Sequence, residues 1–263
     1  MEHILYTLAK RYPQVYLPIE EGISKSEEYR NTCLRGEESS RELLFSFNEN
    51  DKLETIKTIS GDVEVLTMYD RQDFEHVIKA IAYKGEPKDI PSSTGAMALF
   101  GLNNWEKVRA GLENYKDSFI VLSSGNYSNV DNKDVNEVTD GETDLSESEW
   151  TEKSITIRKY HELTHFVMRK SYPDDIKPIR DELIADCVGL MCAFKKLDVR
   201  LLKLFLGLEK DSYRKGGRLE NYEGGSEEDI PKTLTLIDDI VSKLSKYESE
   251  EVDTIWKHID EVL

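Results

Sequence analysis

What this chain lacks narrows its function before any motif is read. No stretch approaches the roughly 18 consecutive apolar residues that a membrane-spanning helix needs, so no helical membrane protein is expected. The opening MEHILYTLAKRYPQ has no basic leader followed by an uninterrupted apolar run, and no secretory signal is expected there. Cysteine is scarce: Cys33, Cys187 and Cys192 are odd in number and lack paired spacing, unlike a secreted disulfide framework. A reducing, cytoplasmic setting is the expectation. Positive charge is also short, with 35 Lys and Arg against 52 Asp and Glu, a net charge of −17. Phosphates are repelled by such a chain, so neither a nucleic acid nor an anionic membrane is an expected partner.

What remains is ample for a folded protein. The 263 residues are 38% hydrophobic and 33% charged, a soluble globular composition. That length allows one large domain or two small ones. The pattern divides near residue 150, with a mixed α/β region over 1–150 and a helical region over 151–263.

In the first region a helix is expected over residues 2–11, with Ile4, Leu5 and Leu8 on one face. Segments 42–47 (ELLFSF) and 62–69 (DVEVLTMY) read as strands. Asp70 reads as the N-cap of a helix running to Lys84 and ended by Gly85. A helix over about 104–115 and a strand over 119–124 (FIVLSS) follow. Residues 125–153 are acidic and almost without apolar periodicity, and read as a solvated loop. Beyond them helices are expected over 155–170, 176–196 (with Pro178 in its first turn), a short one capped by Asp198, and a closing hairpin over 231–247 and 250–263. The fold class is therefore α+β, with a small sheet first and a mainly helical second half.

Chemistry concentrates at residues 161–165, HELTH. On a helix, His161 and His165 lie one turn apart and project from one face. That suits a tetrahedral zinc, which takes neutral imidazole nitrogens at about 2.0–2.1 Å. Glu162 sits about 100° around the same helix, where its carboxylate could accept a proton from a water at the metal without ligating. A catalytic zinc needs a third protein ligand, and DELIADCVGL (181–190) supplies a candidate. Glu182 and Asp186 are one turn apart at the start of a helix that is otherwise apolar nearly all round. Two carboxylates entering such a helix are expensive unless neutralised. One Zn2+ would neutralise Glu182. Asp186 could accept the second ring proton of a ligating histidine, and Ala185 between them is small enough for two helices to approach closely. The bland alternative makes the acids complements to a helix dipole and the histidines partly buried polar residues. A purely structural zinc would want a fourth ligand, for which the neighbourhood offers no further His or Cys.

HExxH followed by ExxxD resembles the gluzincin metallopeptidases, the thermolysin-like zincin group. The resemblance covers about residues 155–195. It implies that His161, His165 and Glu182 are the metal ligands, Glu162 the general base and Asp186 the residue that orients a ligand ring. It also implies a zincin-like fold and hydrolysis of a peptide or of a small amide or ester. The sixteen residues between His165 and Glu182 are fewer than is usual in that group, which implies a short connection between the helices.

Weaker signals surround this core. Members of that group align substrate on an edge strand, for which FIVLSS is the candidate; an internal core strand is the competing reading. Gly95-Ala96-Met97-Ala98-Leu99 is similar to an exopeptidase motif but lacks its Glu, and is taken as coincidence or as a bordering loop. An oxyanion donor is usually His, Tyr or Arg. His3, His76 and His258 all fall in expected helices, whereas the glycines at 216 and 217 could turn Arg218 or Tyr222 towards a pocket. The expected function is that of a zinc-dependent hydrolase. A protein of another class, keeping the zinc site for binding or regulation without turnover, is the alternative.

Overall fold

Local capping and periodicity account for most of the elements in the computed structural model, which describes residues 3–174, 177–209, 212–214, 217–221 and 230–263. Contacts divide the chain into two units, one of Met1–Ile56 with Val63–Ser124, the other of Lys57–Asp62 with Gly125–Leu263. The acidic stretch thus belongs with the helical unit. The class is α+β.

In the first unit, α1 (Ile4–Arg11) buries Leu5 and Leu8, and a single helical turn, α2 (Glu27–Tyr29), is capped by Ser26. The sheet comprises β1 (Lys52–Thr58), β2 (Gly61–Met68), β3 (Ala96–Asn103) and β4 (Lys116–Ser123), in spatial order β1-β2-β4-β3. β2 and β4 run parallel, with Val65 opposite Ile120, and β3 runs antiparallel to β4. Between β2 and β3 lies α3 (Arg71–Ile81), whose N-cap Asp70 accepts from the backbone N–H groups of Gln72 and Asp73. Phe74, Val77, Ile78 and Ile81 pack against Leu66, Met68, Phe119 and Val121 of the sheet and against Leu5, Leu8 and Tyr12.

Several sequence expectations for this unit need correction. FIVLSS is not an edge strand. It lies in β4 between β2 and β3, and Phe119, Ile120, Val121 and Leu122 are all buried, as an uninterrupted apolar run in an internal strand requires. The edges are β1 and β3, the latter containing Ala96–Leu99, a segment whose small residues and glycines read as a bordering loop rather than a strand. Residues 42–47 join no ladder. They attach through side chains instead, Ser46 donating from both N and Oγ to Asp73 and Phe45 lying edge-on to His76. β1 carries no apolar alternation that would mark it as a strand: KLETIKT is polar, and exposed or half-buried along its length. The expected 104–115 helix is only α4 (Trp105–Arg109), broken at Gly111 with φ +67°.

The second unit is mostly helical. The acidic stretch is folded rather than a loop: α5 (Asn132–Val138) is capped by Asp131, and α6 (Glu147–Ser171) starts eight residues earlier than the expected 155. Its first turn is a capping box in which Ser146 and Glu149 satisfy each other's backbone donors. Trp150 is fully buried and donates to the Val130 carbonyl, 2.8 Å. After it, α7 (Pro178–Phe194) begins on proline and stops at Lys195 in the left-handed region. Then come α8 (Val199–Leu206), capped by Asp198, a two-strand ribbon of β5 (Leu208–Glu209) and β6 (Ser212–Tyr213), α9 (Ile230–Leu244) and α10 (Val252–Lys257). α9 and α10 both pack on α7, burying Ile237, Ile240, Leu244, Ile255 and Trp256.

α6 and α7 are in extensive contact. Gly189 marks a close approach between them: a Cβ at 189 would stand 2.7 Å from the Ile157 carbonyl oxygen. No helix among the described residues is long and apolar enough to cross a membrane.

Candidate metal centre

The two helices bring their polar residues to one point. His161 and His165 face outward from one side of α6, and Glu182 and Asp186 from one side of α7, each pair spaced one turn apart. His161 Nε2 is 3.1 Å from His165 Nε2. The same His161 nitrogen is 3.3 Å from Glu182 Oε2, and His165 Nε2 is 3.4 Å from Glu182 Oε1. The three side chains form a potential metal-holding group with its ligand atoms within 4.8 Å of one another. Both histidines are buried, and the Glu182 side chain is 29% exposed.

These spacings test whether a metal fits. A tetrahedron with bonds of about 2.0–2.1 Å has edges of about 3.3–3.4 Å, close to the 3.1 Å between the two nitrogens and to the distance from each of them to its nearer Glu182 oxygen, Oε2 for His161 and Oε1 for His165. Two imidazole nitrogens at 3.1 Å repel through their lone pairs unless a proton or cation sits between them. His161 Nδ1 donates to Asp186 Oδ1 at 2.8 Å, which leaves Nε2 as the ring's free lone pair. Two imidazoles and one carboxylate are a donor set suited to zinc. The residues fit the ion.

Electrostatics agree. Burial works against a charge on His161, but hydrogen bonds to Asp186 and Glu182 outweigh it and raise the ring's pKa well above the ordinary value. For Glu182, burial pushes up, while hydrogen bonds from His161 and His165 hold the carboxyl far below the usual carboxylate range. The pocket therefore demands a cation.

Asp186 is 1% exposed and accepts more than the His161 proton. Tyr127 OH donates to the same Oδ1 at 2.6 Å, and Arg218 Nη1 at 3.0 Å. Arg218 also donates to the Tyr127 hydroxyl and brings Nη2 to 3.7 Å from Glu182 Oε2. Arg218, named from sequence as a candidate oxyanion donor, therefore stands beside the cluster. Tyr222, named with it, lies outside the described residues. Glu162 is half-buried on α6 next to His161.

Tyr127 was missed by sequence reasoning, since it falls inside the acidic stretch read as a loop and carries no motif. Three other histidines are engaged elsewhere: His3 with the Asn48 carbonyl, His76 against Phe45, and His258 with Glu261 and Tyr247. Behind the cluster, Trp256 Nε1 donates to Thr164 Oγ1 at 3.0 Å, tying α10 to α6.

An α+β chain whose helical unit presents a His-His-Glu cluster across two packed helices is the class defined so far. The chain belongs to the family of unknown function DUF7005, whose model matches residues 2–112 and 110–262. No curated protein and no solved structure matches it.

Proposed function

We propose that this protein is a zinc-dependent hydrolase, a metallopeptidase of gluzincin type, with His161, His165 and Glu182 as ligands and Glu162 as general base. The observation that carries the reading is the convergence of ligand atoms: the two imidazole Nε2 atoms are 3.1 Å apart, His161 Nε2 is 3.3 Å from Glu182 Oε2, and His165 Nε2 is 3.4 Å from Glu182 Oε1, close to the edge lengths of a tetrahedral zinc site. Zinc held there would supply Lewis-acid chemistry, polarising a substrate carbonyl and making a water acidic enough to lose a proton near neutral pH.

The chain's own residues do the rest. Glu162, adjacent to His161 on α6, accepts the proton that water loses and passes it to the departing amine. Asp186 keeps the His161 Nδ1 proton in place, so that Nε2 alone faces the cluster. The substrate class is a peptide, or a small amide or ester on the same chemistry. Cys33, Cys187 and Cys192 are free thiols, which supports a cytoplasmic setting. The acidic balance of the chain supports a substrate other than a nucleic acid or membrane surface.

Metal analysis of purified protein, with Glu162→Gln beside wild type in a broad peptide screen, tests the reading. The variant should keep one zinc per chain and lose about 100-fold or more of hydrolysis. Stoichiometric zinc with no hydrolysis by wild type would favour a zinc-stabilised binding protein instead. No bound metal at all would end both.

A further inference from the structure

Resting on the proposal that the His-His-Glu cluster holds a metal, we infer that Tyr127 and Arg218 are positioning residues for that metal, clamping the carboxylate that orients His161. Asp186 is buried, and a buried carboxylate needs donors to replace the water it has lost. Oδ1 accepts from three at once: His161 Nδ1 at 2.8 Å, Tyr127 OH at 2.6 Å and Arg218 Nη1 at 3.0 Å. An oxygen held from three directions cannot swing, and the imidazole bonded to it shares its constraint.

Arg218 does more than neutralise a charge. Its planar fork reaches two acids of α7, Nη1 to Asp186 and Nη2 towards Glu182 at 3.7 Å. One guanidinium therefore sets the orienting carboxylate and the ligating carboxylate relative to each other, a two-point geometry that lysine cannot reproduce. With both nitrogens already facing carboxylates, it is better suited to holding the site than to capturing an anionic substrate. Tyr127 links the two: its hydroxyl accepts from Arg218 and donates to Asp186.

The backbone that delivers Tyr127 supplies an independent observation. Ser128 and Asn129, which follow it, have φ of +58° and +55°, a left-handed conformation that asparagine tolerates but that is unfavourable for serine. Consecutive residues persist there only when surroundings overdetermine them. Three anchors do so: Tyr127 N donates to Ser154 Oγ, Arg158 to the Asn126 carbonyl, and Ser128 Oγ to the Phe205 carbonyl, at 3.0, 2.8 and 2.6 Å. The Tyr127 ring is itself fixed, edge-on to Phe205 at 5.2 Å and under the Arg218 guanidinium at 4.7 Å. This strained, pinned turn ends with one hydroxyl at Asp186.

The test uses the full chain as wild type, Tyr127→Phe, Arg218→Met and Arg218→Lys. Each is stripped of metal and titrated with Co2+ and with Zn2+ against a competing chelator. The readouts are affinity, the visible absorption of bound cobalt and the melting temperature of the metal-free protein. Tyr127→Phe and Arg218→Met should weaken metal binding about 10- to 100-fold and alter the cobalt spectrum, and Arg218→Lys should recover only part of the loss. Wild type that binds neither ion would overturn the metal reading itself. Wild type that binds, with variants matching its affinity and spectrum, would overturn the positioning role alone, even if their melting temperatures fell. Should Arg218→Met fail to fold, Tyr127→Phe removes a single oxygen and decides the matter.

Discussion

Replacing Gly189 by alanine sets helix propensity against sterics at the seam that builds the site. In an unencumbered helix the change would stabilise by about 1 kcal/mol. In α7 the new methyl would stand 2.7 Å from the Ile157 carbonyl oxygen and 3.1 Å from the Ile157 Cγ2, where real Cβ atoms essentially never come within 3.0 Å. A carbonyl in mid-helix is fixed by the helical hydrogen-bond ladder and cannot swing aside. The two helices must separate instead.

Overpacking of this kind costs about 1–3 kcal/mol, and a backbone obstacle puts it at the upper end. The net loss is then about 2 kcal/mol, or about 4–8 °C of melting temperature for a chain of this size. Ile157 precedes His161 by one turn, so the separation also lengthens the cross-helix distances of 3.3 and 3.4 Å from Glu182 to the two imidazoles. Metal affinity should fall together with stability. Circular-dichroism melting of the metal-free variant, followed by zinc titration against a chelator, reads both. A variant that melts at or above wild type and binds zinc as tightly would refute the close-contact argument.

Other expectations follow from the same structure. Adding zinc to metal-free protein at about 100 times its dissociation constant should stabilise it by about 2.7 kcal/mol, an effect that His161→Ala and Glu182→Ala should abolish; iron instead of zinc in the purified protein would contradict the assignment of the ion. Asp117 in the first unit accepts from Asn104 and Lys107 at 2.6 and 2.7 Å and from Tyr12 at 3.2 Å. Burial pushes its carboxyl up, but the bonds from Lys107 and Asn104 prevail and hold its pKa below the ordinary value. A depressed folded-state pKa means that the contribution is full above the unfolded value of about 3.9 and is lost as pH falls through the folded one. Asp117→Asn should therefore cost about 1–3 kcal/mol at neutral pH and progressively less below about pH 4; urea midpoints across pH would expose a flat difference as a failure. Ser146→Ala removes the α6 capping box and should cost about 0.5–2 kcal/mol, with faster amide exchange confined to the first turn. Unchanged protection there would show that the cap contributes nothing.

The sequence by itself determined the features that depend on neighbours along the chain. HELTH and ELIAD were legible as pairs on two helix faces because i and i+4 residues share a face wherever a helix forms, and α6 and α7 do form there. Asp70, Asp198 and Pro178 marked helix starts because capping is a local hydrogen-bonding matter. Even the capping box of Ser146 and Glu149 is written in the chain, though the acidic residues around it dominate the composition there and give it the look of a loop. Tertiary structure alone decided the rest. Which apolar strand lies inside the sheet depends on pairing between distant segments, so FIVLSS became internal and the small-residue segment at 96–103 became an edge. Tyr127 and Arg218 reach Asp186 across 59 and 32 residues of sequence. No periodicity connects such positions, because the cost of a buried carboxylate can be met by any donor that the folded chain brings within reach.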